Sequence, residues 1–120
     1  MTDQSDQAII DIPQAIQLAA GKPDLAKDLF DMLIASLPDA RSNISAKYQD
    51  GDADILFQEI HRLQGACRYC GVPALLHACQ QAEAYVKNSG TDGLSPLLDS
   101  VFKEIAALQD WAANNVWQAP

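Results

Sequence analysis

Apolar side chains recur every third or fourth residue along the longest patterned segment of the chain, from Leu25 to Tyr48. This spacing puts them on one face of an α-helix, because successive helical residues are rotated by about 100°. Four further segments show the same periodicity, and no segment combines alternation with enough β-branched residues to favour a strand. The sequence therefore predicts an all-α protein.

Capping residues, prolines and glycines predict where the helices begin and end. A short first helix is capped by Asp11 and stopped by Gly21, and a long second helix starts at Pro23. Pro38 is expected to kink the second helix or break it near Leu37. The other three helices are predicted to start after Gln49–Asp52, near Pro73 and at Ser95–Pro96. The third is predicted to end at Gly71–Pro73 and the fourth at about Lys87, and the fifth carries apolar residues from Leu98 to Ala112.

Short loops between four amphipathic helices favour an antiparallel up-down-up-down four-helix bundle. The short N-terminal helix is an addition that we expect to lie across one end. One domain is predicted over residues 1–120, with loose ends at 1–8 and 116–120. Trp111 and Trp117 are interpreted as packing at the end of the bundle, although Trp117 could also serve a partner.

Charge and composition exclude several classes of function. Sixteen acidic and eight basic side chains give a net charge of −8, which argues against nucleic acid as a partner. No run of eighteen apolar residues is present, and the polar, acidic N-terminus lacks the features of a signal peptide. Three cysteines form no disulfide framework. We therefore expect a cytoplasmic protein without direct membrane contact.

His61 is followed four residues later by Gly65, on the side of the third helix opposite its apolar face. A glycine inside a helix costs about 1 kcal/mol relative to alanine, so it needs a reason. Residue i+4 lies over the same face as residue i, and a missing side chain there opens space beside the imidazole. Six residues fall within about 60° of the histidine direction and form the predicted partner-docking surface: Asp54, Phe57, Gln58, Gln64, Gly65 and Arg68.

An exposed, neutral imidazole has a nitrogen lone pair and is a competent nucleophile. No nucleophile elbow or comparable source of an oxyanion hole is present, which argues against a hydrolase. Arg62 and Arg68 flank His61, and residues 60–70 contain no acid, so local positive charge favours acceptance of a phosphoryl group. The alternative is a solvated helix face with an incidental histidine.

The segment from His61 through Arg62-Leu63-Gln64-Gly65 to Gly71 resembles the signature H-x-L-K-G-(small)-(small)-x-x-x-G of histidine phosphotransfer (HPt) domains. The downstream Cys79-Gln80-Gln81-Ala82-Glu83 is similar to the C-x-x-L-E of that family. The segment from Gly65 to Pro73 also resembles the C-terminal HPt module of BarA/GacS-type hybrid sensor kinases. With helix order included, the resemblance extends from about Leu25 to Leu108.

The resemblance implies that Nε2 of His61 accepts a phosphoryl group from a receiver aspartyl phosphate and passes it to a response-regulator aspartate. Glu83 would accept a hydrogen bond from the other ring nitrogen. The common family lysine is Gln64 here, so an amide would hydrogen-bond the phosphoryl oxygens while Arg62 and Arg68 supply charge.

A domain of this family would be a phosphocarrier with a phosphohistidine intermediate rather than an autonomous enzyme. It would need no cofactor of its own, because Mg²⁺ is expected on the partner receiver domain. We also expect it to be monomeric, to be unable to phosphorylate itself from ATP, and to form part of a larger sensor histidine kinase.

Two alternatives come from other classes. Cys67-x-x-Cys70 followed by His77-x-Cys79 could form a zinc or redox module. Helical geometry argues against this, since His77 and Cys79 point about 200° apart and the other two cysteines face the predicted core. A helical docking module that uses the same face without phosphorylation is the second alternative.

Overall fold

A computed structural model describes residues 8–120, and five α-helices without a strand make up its secondary structure. They are α1 (Ile12–Leu18), α2 (Pro23–Asp50), α3 (Ala53–Cys67), α4 (Pro73–Ser89) and α5 (Ser95–Asn114). The prediction of an all-α fold with a short first helix is confirmed. Within residues 8–120, no helix combines the length and the apolar character that crossing a membrane requires.

The four long helices form a closed bundle in which α3 packs against α2 and α4, while α5 packs against α4 and α2. Each long helix contributes side chains that are fully buried, including Leu37, Ile44, Leu56, Ile60, Leu75, Leu98 and Ile105. Because Leu56, Ile60 and Leu63 of α3 are buried, the opposite side of that helix faces outward.

Helix α2 runs unbroken through Pro38, so of the two predicted outcomes, a kink or a break near Leu37, the break does not occur. A proline inside a helix removes one hydrogen bond and costs about 3 kcal/mol. Here its ring lies on the exposed side of α2, whereas Leu33, Leu37 and Ile44 are buried on both sides of it along the chain. Packing of the apolar face against the bundle therefore maintains the helix across the proline.

Helix α1 is anchored at Gly71, in the turn between α3 and α4. The Asp11 amide donates to the Gly71 carbonyl at 2.7 Å, and the Asp11 carboxylate caps α1 by accepting from the Gln14 amide at 3.0 Å. Gly71 has a positive φ of 64°, and a Cβ there would lie 2.8 Å from the Ala15 Cβ. The second glycine of the signature is thus required by the close approach of α1.

The C-terminal segment after α5 folds back onto the bundle. Trp117 is only 7% exposed and belongs to the core, whereas Val116 is 72% exposed. Trp111 packs edge-to-face on Phe30, with ring centroids 5.7 Å apart. Both tryptophans are packing residues, as the sequence interpretation held, and the buried ring of Trp117 holds part of the segment 116–120 against the bundle. The loose end predicted at 1–8 lies, apart from Ala8, outside the described residues.

Candidate functional site

His61 projects from the outward side of α3, and its side chain is 62% exposed. The ring stacks on Phe57, one turn earlier, with centroids 5.9 Å apart and planes 8° from parallel. This contact limits rotation of the imidazole plane without covering its outer edge. The face predicted from the periodicity of α3 is therefore the face on which His61 lies.

Glu83 comes from α4 and lies beside the inner edge of the ring, where its Oε2 is 2.6 Å from Nδ1 of His61. An ionised carboxylate only accepts hydrogen bonds, so Nδ1 carries the proton and donates it. The neutral ring then has its lone pair on Nε2, which points away from Glu83. The carboxylate thereby favours the tautomer in which the accessible nitrogen keeps its lone pair.

Gln64 was predicted on the outer face, and that prediction is wrong because the side chain is 3% exposed. Its amide nitrogen faces Glu83, since the opposite orientation would place the amide oxygen against a carboxylate. In this orientation it donates to Oε2 at 2.8 Å and to Oε1 at 3.2 Å. Gln64 lies about 60° around α3 from His61, and the carboxylate on α4 draws its amide inward.

Gly65 leaves open space beside the imidazole. A Cβ built on this residue would have no atom within 4 Å outside its own helical backbone. Packing within the chain therefore does not require a glycine here, in contrast to Gly71. The open space is consistent with the predicted access of a partner to His61.

The two arginines lie farther from the ring than their sequence positions suggest. Arg62 projects about 100° away from His61 around the helix, and its Nη1 is 3.6 Å from Oε2 of Glu59. Arg68 follows His61 by seven residues, which is about 10 Å along the helix axis. It lines a separate groove with Leu76 and His77. Within residues 8–120, neither arginine forms an ion pair or a hydrogen bond with the imidazole.

A cavity of about 540 Å³ lies next to Phe57, and Lys87 of α4 also lines it. Lys87 lies four residues after Glu83 and hence on the same face of α4. It is exposed and has no ion pair among the described residues. Lys87 was not among the site residues predicted from the sequence, although its position four residues after Glu83 was a signal that could have identified it.

The rest of the predicted docking surface lies around this site. Asp54, Gln58 and Arg68 are exposed, while Phe57 and Gly65 are partly buried. An apolar patch continues the surface towards α2 through exposed Met32 and Tyr69, and we call it the α2 patch. It surrounds a groove of about 290 Å³ lined by Leu29, Met32, Leu33, Ser36, Ala66, Tyr69 and Cys70.

The cysteines are free and buried. A hydrogen bond with Cys79, together with burial, raises the pKa of the Cys67 thiol far above its ordinary value. Burial raises the pKa of the Cys70 thiol to about 11. Among residues 8–120, no three histidine, cysteine or acidic side chains are grouped so that they could hold a metal ion. Protonated thiols are poor ligands and nucleophiles, which argues against the zinc and redox alternative.

The model of the Hpt domain family matches residues 28–111, and the chain therefore belongs to this family. Sensor histidine kinase GacS of Pseudomonas protegens is 42% identical over 101 residues, which are 82% of this chain and 11% of that protein. Signal transduction histidine-protein kinase BarA of Escherichia coli K12 is 36% identical over 100 residues, again 82% of this chain and 11% of that protein.

A solved structure also matches over most of both chains. It is the HPT domain from the Hpt sensor hybrid histidine kinase of Shewanella, with a TM-score of 0.82 and 26% identity over 88% of this chain and 92% of that one. The predicted family and its helical-bundle fold are confirmed. Homology to modules of hybrid kinases supports the predicted role in a two-component phosphorelay.

Proposed function

We propose that the domain is a phosphocarrier in which His61 accepts a phosphoryl group on Nε2 from a receiver aspartyl phosphate and passes it to a response-regulator aspartate. The observation that carries this proposal is the 2.6 Å contact between Nδ1 of the exposed His61 and Glu83. It leaves the lone pair on the nitrogen that faces solvent. The open space at Gly65 gives a partner room to reach it.

In the forward step, the Nε2 lone pair attacks phosphorus while the bond between phosphorus and the aspartyl oxygen breaks. The receiver aspartate leaves as a carboxylate, and the imidazole becomes a phosphorylated, positively charged ring. Glu83 offsets that charge through the hydrogen bond from Nδ1. In the second step, the carboxylate of another receiver attacks the same phosphorus, and the electron pair of the N–P bond returns to Nε2.

The remaining catalytic groups would belong to the receiver. Mg²⁺ held there would offset charge on the phosphoryl oxygens, and no residue of this chain is assigned to the metal. Lys87 is the exposed cation of this chain that lines the cavity next to Phe57. We therefore assign to Lys87 part of the charge support that the sequence suggested for Arg62 and Arg68.

The proposed receiver-docking surface comprises Asp54, Phe57, Gln58, Gly65 and Arg68 together with the α2 patch. It combines the apolar α2 patch with polar and charged side chains, and protein–protein interfaces contain both kinds of surface. The contact should be small and short-lived, since the phosphoryl group must move on to a second partner. Gln64 is left out because it is buried.

We further propose that the domain works as a monomer in the cytoplasm, as part of a longer sensor histidine kinase. The relatives GacS and BarA carry the matching region as 11% of their length. Receiver domains of such a kinase and of a response regulator would then be its partners.

The deciding experiment mixes the domain with a receiver phosphorylated at its aspartate and follows acid-labile label onto the domain. We expect label on the wild type and on His77→Ala, and none on His61→Ala. Label on the His61 variant would refute the assignment. Unlabelled wild type that still binds the receiver would favour a docking module, and stoichiometric zinc in the purified protein would favour the metal alternative.

A further inference from the structure

We infer that Gln64 is a positioning residue that acts on His61 through Glu83. The inference rests on the proposed function, because it concerns which nitrogen of His61 is the nucleophile. It differs from the role that the resemblance implied, in which the amide would hydrogen-bond the phosphoryl oxygens. The structure assigns this amide to the carboxylate instead.

Burial of Gln64 is the first observation. At 3% exposure, it is the one buried polar side chain among the described residues. A buried amide without a hydrogen-bond partner is destabilising, and Glu83 supplies that partner with both of its oxygens, at 2.8 and 3.2 Å. Turning the amide outward to a phosphoryl group would break both bonds.

The second observation is that Gln64 and His61 donate hydrogen bonds to the same oxygen of Glu83. Oε2 of Glu83 accepts from the Gln64 amide at 2.8 Å and from Nδ1 of His61 at 2.6 Å. A glutamate side chain has several rotatable bonds, so ordering it for one hydrogen bond costs conformational entropy. Gln64 holds the carboxylate from the core side, and Oε2 is then already in place for the ring. The imidazole is thereby kept with its proton on Nδ1.

The third observation is that the side-chain amide of Gln64 carries no charge. A lysine at this place could also donate to Glu83, but it would form an ion pair and offset the negative charge of the carboxylate. A glutamine donates without adding a positive charge. Glu83 therefore keeps its charge for the imidazolium that forms when Nε2 is phosphorylated, which gives a physical reason for glutamine at position 64 opposite a glutamate at position 83.

The test is a double-mutant cycle on the whole chain with Gln64→Met and Glu83→Ala. Methionine preserves the length of the side chain and removes the amide donors. Two quantities are measured: the fraction of the Nδ1–H tautomer from imidazole ¹⁵N NMR, and the rate of transfer from a phosphorylated receiver.

We expect Gln64→Met to lower the Nδ1–H fraction and to slow transfer about tenfold, as the loss of a hydrogen bond to a charged group would. In the Glu83→Ala background, Gln64→Met should have no further effect on either quantity, because the residue through which it acts is gone. Gln109→Met on α5 is the matched control and should leave both quantities unchanged. Gln64→Leu repeats the test if the methionine variant unfolds at a lower temperature.

Two results would overturn the inference. Additive effects of the two substitutions would show that Gln64 acts independently of Glu83. Slower transfer with an unchanged tautomer would show that the amide contacts the phosphoryl group directly. Because the NMR measurement needs no phosphoryl donor, a wild type that takes up no label would refute the proposed function and leave the tautomer result to decide the role of Gln64.

Discussion

Two side chains restrict the imidazole of His61 from different directions. Phe57 stacks on its face, and Glu83 accepts the hydrogen bond from Nδ1. A ring held in this way needs little rearrangement before attack, and such preorganisation is a general source of rate enhancement. The exposed edge with Nε2 is the part that both contacts leave uncovered.

Lys87→Ala is expected to lower the yield of phosphorylated domain by about two- to fivefold, because an exposed charge pair contributes roughly 0.5–1 kcal/mol. The measurement is the amount of label on His61 at equilibrium with a phosphorylated receiver. Lys103→Ala, on α5, is the matched control. The difference between the two variants should shrink at high salt, and an equal yield from both would contradict the assignment of Lys87.

Cys70 makes the stability of the fold dependent on pH at the alkaline end. Burial raises the pKa of its thiol from 9.0 to about 11, so the folded state keeps the proton that the unfolded state releases. The stabilisation is complete below pH 9 and should be lost as the pH rises towards about 11. Urea unfolding across this range should show a shallower pH dependence for Cys70→Ala; identical pH dependence would contradict this account.

Single residues also mark the limit of prediction from sequence. The outward direction of His61 followed from the period of one helix, which sequence records directly. The burial of Gln64 did not, because it depends on where α4 places Glu83 relative to α3. That relation is set by packing between helices, and periodicity within α3 contains no information about it.

The two glycines that follow His61 have different structural roles, on a helix face and in a turn. Gly65→Leu should raise the free energy of unfolding by about 0.5–1 kcal/mol, because a leucine favours the helix and the space for it is open. The same change should slow transfer by roughly tenfold or more, because the leucine side chain would block the approach of the partner. Urea denaturation and labelled transfer measure the two effects.

Gly71→Ala should have the reverse pair of effects to Gly65→Leu: it should destabilise the fold and leave the rate of transfer nearly unchanged. Its φ of 64° and the nearby Ala15 leave no room for a Cβ, so we expect a loss of about 1–3 kcal/mol in unfolding free energy. Transfer by the folded fraction should stay near the wild-type rate, because Gly71 holds α1 and not the imidazole. A stable, inactive Gly71 variant would contradict this division of roles.

Helix boundaries were predictable where a local signal sets them. Pro23, Pro73 and Ser95 begin helices in the structure as the sequence indicated. Helix α3 ends at Cys67, before the predicted stop at Gly71–Pro73, and α2 continues past Pro38. Both differences arise from contacts with other elements: α1 docks on the turn at Gly71, and the bundle packs against the apolar face of α2.

The bundle as a whole includes a residue that lies beyond its last helix. Removing residues 116–120 should lower the free energy of unfolding by about 1.5–3 kcal/mol, since Trp117 buries a large apolar ring. Denaturant titration of the shortened chain measures this loss. Trp117→Phe should retain most of the stability, whereas unchanged stability on truncation would show that the tryptophan adds nothing to the core.

His61 and Gln64 of α3 both contact Glu83 of α4, and the two helices are packed in the same bundle. Under the proposed function, the nucleophile would therefore be in place before any partner arrives. A domain of this kind would carry its signal as the presence or absence of a phosphoryl group on His61, and not as a change in the shape of the bundle. A receiver would then distinguish the loaded from the empty carrier by the phosphoryl group alone, and discrimination between partners would rest with the docking surface.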